Sequence, residues 1–465
     1  MSETDTRCQP AASAGGVVPA DRNDVPGQPT PEQVDASLRA SIKDGLAWSV
    51  MVGCAERYVG PFLVLGESGL LRLAAISGLP GVAGALVQCW AARALDRARQ
   101  RRPHVLWPVL LQALTWLPFC YAVFQPVATG YWVMLAAFVL YVAFANFCAP
   151  AWTSWIGDLV PPERRGRYFG LRSALMGVGL VASNLAAGAW ITWARERPTF
   201  GWLGLSGQNT AFLTLFAVAC AARLMSLWYL TRMHEPPYRR AASDHFTLMD
   251  FIRRAPRAHF GRFVFYCTWL NAGIGAFAPF LAWYILGELR YSPLVFAWIG
   301  TANLSACYLA TYVWGRLLDR LGSKRILAIG GIGLAVMPVL LLLSDHIAWL
   351  AVVQVFDGIV TAAFGLAAFN YIFDVVTPPK RARCAAYYAL FVSTGLALGM
   401  FVGAATLLWA PVPLTLAGWS LSHPFEMLLI VSAVLRLLPN LLLLGTFQEF
   451  RLSRPVFFEE PASTP

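Results

Sequence analysis

From residue 44 onward the chain alternates long apolar runs with short polar turns. Each run holds about 20 or more residues, which at about 1.5 Å per residue is enough for a helix to cross some 30 Å of hydrocarbon. Twelve runs recur, over residues 44–65, 70–92, 104–124, 131–156, 169–193, 210–232, 259–287, 293–316, 325–344, 347–373, 384–410 and 423–447. The pattern predicts an all-α integral membrane protein with twelve transmembrane helices. Residues 1–43 are rich in Pro, Gly, Ser, Thr and Asp and lack a signal-peptide pattern, so they read as a disordered tail. Residues 233–258 form the longest internal polar stretch, with Pro236, Pro237 and Pro256, and its mixed run over 246–252 reads as a short helix on the membrane surface. This linker divides a six-helix bundle over 44–232 from a second over 259–448, and residues 449–465 form another tail.

An even number of spans puts both tails on one side, and the basic residues say which. Arg93, Arg97, Arg99, Arg101 and Arg102 share one loop, Arg164, Arg165 and Arg167 the next on that side, followed by Arg239, Arg240, Arg253, Arg254 and Arg257. Arg320 with Lys324, then Lys380, Arg381 and Arg383, continue the series, whereas the opposite loops offer Arg72, Arg195, Arg197 and Arg290. By the positive-inside rule the tails and the basic loops are cytoplasmic.

Composition adds mainly exclusions. A chain of 465 residues that is 57% hydrophobic and 13% charged, against about 25% charged in soluble domains, is not a soluble protein. The net charge of +11 sits in loops flanking the membrane, so it reports topology and not nucleic-acid binding. No cysteines form a Cys-x-x-Cys pair, so neither a disulfide framework nor a zinc site is expected. His104, His234, His245, His259, His346 and His423 all lie at or beyond run ends, which removes a mid-membrane histidine relay. No Gly-x-x-x-x-Gly-Lys loop cradles a nucleotide. Scarce Lys beside abundant Arg and Ala suits a GC-rich bacterial genome, and with it a bacterial inner membrane.

The chain also repeats itself. Arg93, Leu95, Asp96, Arg97, Arg101 and Arg102 match Arg316, Leu318, Asp319, Arg320, Lys324 and Arg325 without a gap. Asp158, Val160, Pro162, Arg164, Arg165 and Arg167 match Asp374, Val376, Pro378, Lys380, Arg381 and Arg383. Pro61 with Phe62 and Leu63 echoes Pro279 with Phe280 and Leu281, and Arg223 with Leu224 echoes Arg436 with Leu437. Such echoes in one order across two halves indicate a duplicated six-helix unit.

A Gly-x-x-x-Asp-Arg-x-Gly-x-Lys-Arg turn between the second and third helices of a six-helix half is the signature of the major facilitator superfamily. The turn from Gly315 to Arg325, through Asp319, Arg320, Gly322 and Lys324, resembles it at every defining position. The first copy departs, with Ala92 and Arg99 in place of the two glycines, so its turn is less tightly wound. The resemblance covers nearly all of the chain and implies two pseudo-symmetric bundles around a cavity lined by the first, fourth, seventh and tenth helices. It also implies a conformational gate from the motif residues and from Asp96, Arg97, Asp158, Arg164, Arg167, Asp374 and Arg381, with each motif aspartate against the start of the fifth helix of its half. The fifth helix lacks the Gly-Pro pair of the superfamily's drug–proton antiporters and the fourth lacks their intramembrane arginine, so drug efflux is not favoured.

Ionisable groups inside the runs are few, and each costs about 2.5–3.5 kcal/mol on insertion scales. Glu56 and Arg57, with Tyr58 beside them, lie about a dozen residues into the first helix, near the midplane, and Asp357 about ten residues into the tenth. Asn146 on the fourth helix, Asn271 on the seventh, and Gln354 and Asn370 on the tenth complete the polar load. Plainer readings stand beside these. Neighbouring helical residues diverge by about 100°, so Glu56 and Arg57 do not simply neutralise one another. Asp357 serves equally as a structural partner of Arg57 or as a substrate group, and asparagines more often hold helices together. Arg223 and Arg436, on helices that the resemblance puts at the periphery, read as structural or snorkelling groups. Glu426 caps its helix.

The sequence thus predicts a monomeric secondary transporter, without cofactor or metal, that moves a small solute by alternating access, driven by the solute's own gradient or by protons. Glu56 is preferred over Asp357 as the coupling carboxylate because it is nearer the midplane, on a helix interrupted by Gly53, Gly60 and Pro61. The alternative is a non-transporting receptor or scaffold on the same fold. An enzyme is not expected, since no nucleophile, base or metal ligands cluster.

Overall fold

The computed structural model describes residues 30–448 apart from 98–99, 162–163, 198–200, 202–203, 238–247, 256, 377–380 and 417–418. The first six-helix half comprises α1 (Pro31–Cys54), a 3-10 turn (Glu56–Tyr58), α2 (Val59–Leu65), α3 (Leu70–Arg97), α4 (Arg102–Leu114), α5 (Trp116–Ala122), α6 (Val127–Leu159), α7 (Arg165–Arg195) and α8 (Gly207–Thr231). After the short α9 (Leu248–Arg254) the second half comprises α10 (His259–Trp283) with a π turn (Tyr284–Glu288), α11 (Pro293–Leu321), α12 (Ser323–Leu341), α13 (Ile347–Val375), α14 (Arg381–Trp409) and α15 (Pro424–Leu442). A two-stranded hairpin, β1 (Leu414–Leu416) against β2 (Trp419–Leu421), joins α14 to α15.

Among the described residues, eleven helices are long and apolar enough to cross a membrane. The twelfth crossing is the broken pair α1–α2. Its first half is polar because α1 starts at Pro31, not at residue 44 as hydropathy suggests. Thr30 Oγ1 accepts the Gln33 amide (3.3 Å), Gln33 Oε1 accepts the Thr30 amide (3.0 Å), and Pro31 needs no partner at the first helical position. Residues 31–43 are therefore helix and not tail, while 1–29 and 449–465 lie outside the described residues. The same reasoning corrects the motif. Gly315 to Leu321 are the last turns of α11, and the turn proper is Gly322 at φ +89°, a conformation that costs glycine nothing. Hydropathy marks the part of a helix that meets hydrocarbon, but backbone bonding carries the helix on into the charged turns.

The repeat seen in the sequence recurs in three dimensions. Arg165 at the start of α7 folds back over the end of α6, donating from Nε to the Val160 carbonyl (3.3 Å) and from Nη2 to that of Gly157 (2.9 Å). Arg381 does the same over α13, to Val376 (3.0 Å) and Phe373 (3.1 Å). Both satisfy carbonyls that a helix end leaves unpaired. Trp155 Nε1 donates to the carbonyl of His234 beyond α8, as the Tyr371 hydroxyl does to Gln448 beyond α15, both at 2.8 Å.

The halves meet along two seams. Along α3 and α14, Gly78 packs against Ala397 and Cys89 Sγ donates to the Ala386 carbonyl (3.7 Å). Along α7 and α11, Asn184 Nδ2 donates to the Ala297 carbonyl (3.1 Å) and Thr301 Oγ1 (3.2 Å), and Thr192 Oγ1 accepts the Leu294 amide (3.0 Å). Buried polar pairs of this kind align helices because their partners are scarce in hydrocarbon. α9 packs Phe251 against Phe260, Tyr387 and Phe391, so part of the linker belongs to the second core.

Candidate functional site

The first spanning segment breaks at Ala55, whose φ/ψ of −130°/−51° ends α1. Pro61 explains why an α-helix cannot run through: it has no amide hydrogen and its ring clashes with the carbonyl of residue 57. The break sends adjacent side chains in different directions. Glu56 turns into the first half, where the Tyr141 hydroxyl on α6 donates to its Oε2 at 2.6 Å. The buried Tyr58 hydroxyl donates to the Asn184 carbonyl on α7 (2.7 Å). Arg57 crosses to the second half, packs by Gly300 of α11 and lines a cavity of about 330 Å³.

That cavity is bounded by α10 with its π turn, α11, α12, α13 and α15, and among the described residues Arg57 is its one contribution from the first half. Phe277, Leu281 and Phe296 give it apolar walls, and its polar end gathers Asn303, Gln354, Asp357 and Arg436. Asn303 Nδ2 is the hub, donating to Asp357 Oδ2 (2.8 Å) and to the Gln354 carbonyl (3.1 Å). Arg436 is 1% exposed, donates from Nη1 to the Leu334 carbonyl (2.8 Å) and lies 5.7 Å from the Phe277 ring centroid. Asp357 and Arg436 are within electrostatic reach of one another. An open notch of about 510 Å³ beside the π turn, rimmed by Glu67, Arg195, Glu288 and Arg290, shares no lining residue with this cavity.

Arg57, Gln354 and Asp357 therefore share one cavity, and Glu56 does not line it. Asn146, Asn271 and Asn370 each donate back along their own helix, to the carbonyls of Val142, Cys267 and Leu366 at 2.8–2.9 Å. Asn146 also abuts Gly84 of α3, which is helix packing. Asn303 escapes the sequence reading because it sits on the eighth span, outside the four helices the resemblance implies. Arg436 reads from sequence as peripheral, although its recurrence with Arg223 is a visible signal. Arg223 too is buried, donating to Gln112 Oε1 (2.7 Å) and Ser226 Oγ (2.8 Å).

The residues expected to form a gate make a second group, at the end of the bundle that carries both described chain ends. Ser323 Oγ donates to Asp374 Oδ2 (2.5 Å) and Lys324 Nζ to the Phe447 carbonyl (2.6 Å), tying α12 to the ends of α13 and α15. In the first half this work falls to Arg101, fully buried, which pairs with Asp158 and donates to the Ser154 carbonyl (2.9 Å) and the Pro236 carbonyl (3.0 Å). Asp319, Arg320, Arg325 and Arg167 are exposed, and the exposed Arg164 pairs with Asp35 at 3.2 Å. The side chains of Asp96 and Arg97 lie outside the described residues, as do residues 377–380, just ahead of α14.

The sequence profile of the Major Facilitator Superfamily matches residues 49–272 and 260–444. No curated protein sequence matches the chain. Among solved structures, the nucleoside transporter NupG is similar with a TM-score of 0.65 at 11% identity, covering 89% of this chain and 100% of its own. An auto-inhibited POT family peptide transporter gives 0.65 at 14%, covering 91% and 99%, and a bacterial homologue of the human lysosomal transporter Spinster, inward-facing and unoccupied, gives 0.61 at 15%, covering 90% and 100%. Identities this low speak for the fold, whereas the profile spans both halves of the chain. The duplicated bundles, the motif turn at Gly322 and that match place the chain in the Major Facilitator Superfamily, as an integral membrane transporter and not an enzyme.

Proposed function

We propose that this transporter moves a small solute through the Arg57–Asp357 cavity by alternating access, as a secondary carrier. The observation that carries the reading is that Arg57 of the first half completes a polar cluster built otherwise by the second, so rocking the halves apart disassembles the site. A volume of about 330 Å³ falls at the low end of small-molecule sites, about 300–1,000 Å³, and the layout suits a solute with an apolar body and one polar end. Val64 of α2 lies near Gly287 of the π turn, and Thr192 is bonded to Leu294, so the halves are in contact at the end opposite the gate cluster. With the basic loops and both termini assigned to the cytoplasm of a bacterial inner membrane, this is a carrier shut towards the outside.

If the carrier is proton-linked, Asp357 is the coupling carboxylate, because it lines the cavity and Glu56 faces Tyr141 instead. The test is uptake and efflux in proteoliposomes with and without an imposed pH gradient, beginning with nucleosides and peptides, the cargoes named for two similar structures. Arg57→Gln should lower transport at least tenfold with or without the gradient, and Asp357→Asn should lower accumulation driven by the pH gradient at least tenfold. Wild-type rates in both variants would refute this cavity as the route.

A further inference from the structure

A second cavity, of about 390 Å³, lies wholly within the first half, between α1, α4, α6, α7 and α8, and shares no residue with the first. Its walls include Trp48, Val109, Ala149, Trp152 and Met176. Its floor is a chain of polar side chains, buried except for the partly exposed Arg172. Arg172 Nη2 pairs with Asp44 Oδ2 (3.5 Å), Ser226 Oγ donates to Asp44 Oδ1 (2.6 Å), and Arg223 donates to both Ser226 and Gln112. The Arg172 guanidinium also lies 4.7 Å from the Trp152 ring centroid.

One member of this chain is unfinished. Gln112 is 1% exposed, and its Oε1 accepts from Arg223, which fixes the amide so that Nε2 is the group left over. That Nε2 has no hydrogen-bond partner. A buried donor without an acceptor is costly, about 1–3 kcal/mol, and such groups call for an explanation. Around it the floor has more donors than acceptors: two guanidinium groups and the Gln112 amide face one carboxylate, Asp44, which is already engaged twice. Glu56 is within electrostatic reach of Arg223, but its hydrogen bond goes to Tyr141. What is missing is an acceptor-rich, anionic head group with an apolar body small enough for the walls.

We infer that the first half holds a second ligand site, which takes a small amphipathic carboxylate with its head on Gln112 Nε2, Arg223 and Arg172 and its body against Trp48 and Trp152. The acid enters from water or from the bilayer, and two probes separate these sources. Benzoate serves as the water-borne probe and octanoate, delivered in the disc lipid, as the bilayer-borne one. Both are titrated calorimetrically into the full chain in nanodiscs, with benzamide as the uncharged control. Binding by at least one acid is expected, at higher affinity than benzamide. Loss of one charge-assisted hydrogen bond in Gln112→Leu should weaken it about tenfold or more. Ala149→Phe, which fills the cavity from α6 and leaves the polar chain untouched, should abolish it and keeps the test open if Gln112→Leu fails to fold. Arg57→Gln, in the other cavity, should bind as wild type does. The inference fails if neither acid binds up to millimolar concentrations, if benzamide binds as well as benzoate, or if Ala149→Phe keeps full affinity. Loss of binding in Arg57→Gln would likewise assign the acid to the inter-half cavity and overturn the second site.

Discussion

Replacing Gly399 by alanine should destabilise the second half, by an amount the packing sets. An added Cβ there would lie 1.9 Å from the Ala272 carbonyl oxygen of α10, well inside the 3.0 Å that real Cβ atoms keep. Backbone cannot step aside as a side chain can, so α10 and α14 must part by about 1 Å, a gap that forfeits a quarter to a half of each contact's dispersion energy. A Cβ added at Gly395 or Gly403, four residues to either side and so on the same face, would lie 2.3 or 2.0 Å from the Thr268 or Ala276 carbonyl oxygen, and the separation propagates along the seam. Overpacking of this kind costs about 1–3 kcal/mol. Gly365 of α13 is the control, because nothing lies within 4 Å of the Cβ it would gain. Alanine there should stabilise by up to about 1 kcal/mol through helix propensity. Both changes are Gly to Ala in one half, so the effect on the unfolded chain is common to them and cancels. Thermal unfolding followed by tryptophan fluorescence in one detergent should rank Gly365→Ala, wild type and Gly399→Ala in descending order, with about 2–4 °C per kcal/mol for a unit of 150–250 residues. A Gly399→Ala protein as stable as wild type would refute the close backbone seam.

What the sequence made legible was local or repeated. Arg165 and Arg381 were paired by alignment alone, and they cap their helices alike because each reaches back to carbonyls only five and eight residues away. The glycine of the motif turn was legible for the same reason, since φ +89° is a property of one residue. The start of α1 was legible and overlooked: Thr30, Pro31 and Gln33 spell a capping box, but a hydropathy reading passes over a polar helix. The divergence of Glu56 from Arg57 was not legible in detail. Proximity in sequence and the interruption by Pro61 are visible, but which side chain goes to Tyr141 and which to the second half depends on tertiary packing, 85 residues away in the chain for Tyr141 and farther for Gly300. Asn303 shows the same limit, because an amide in an apolar run becomes a hub only when Asp357 and Gln354 arrive from another helix.

Arg101→Met should cost about 2 kcal/mol from its two carbonyl hydrogen bonds, with little added by Asp158, whose side chain is 54% exposed and screened; a melting temperature equal to wild type would remove Arg101 as a hub. Impermeant thiol labelling in a cysteine-free background should reach Arg320→Cys only from the cytoplasm and Ser206→Cys only from outside, both positions being exposed; the converse would invert the topology. The last prediction separates the two carboxylates. Glu56→Gln keeps an oxygen to accept from Tyr141 yet removes the proton, so it preserves the contact while abolishing any titration there. Asp357→Asn likewise keeps an oxygen for Asn303 but removes the charge that faces Arg436 and the cavity. Solute and proton compete or cooperate only where both reach the same group, and of the two only Asp357 lines the cavity. In a proton-linked carrier Asp357→Asn should therefore lose accumulation driven by a pH gradient while exchange without a gradient survives, and Glu56→Gln should keep both. Accumulation lost in Glu56→Gln and retained in Asp357→Asn would return the coupling to Glu56 and make the Tyr141 contact, not the cavity, the place where the proton is held.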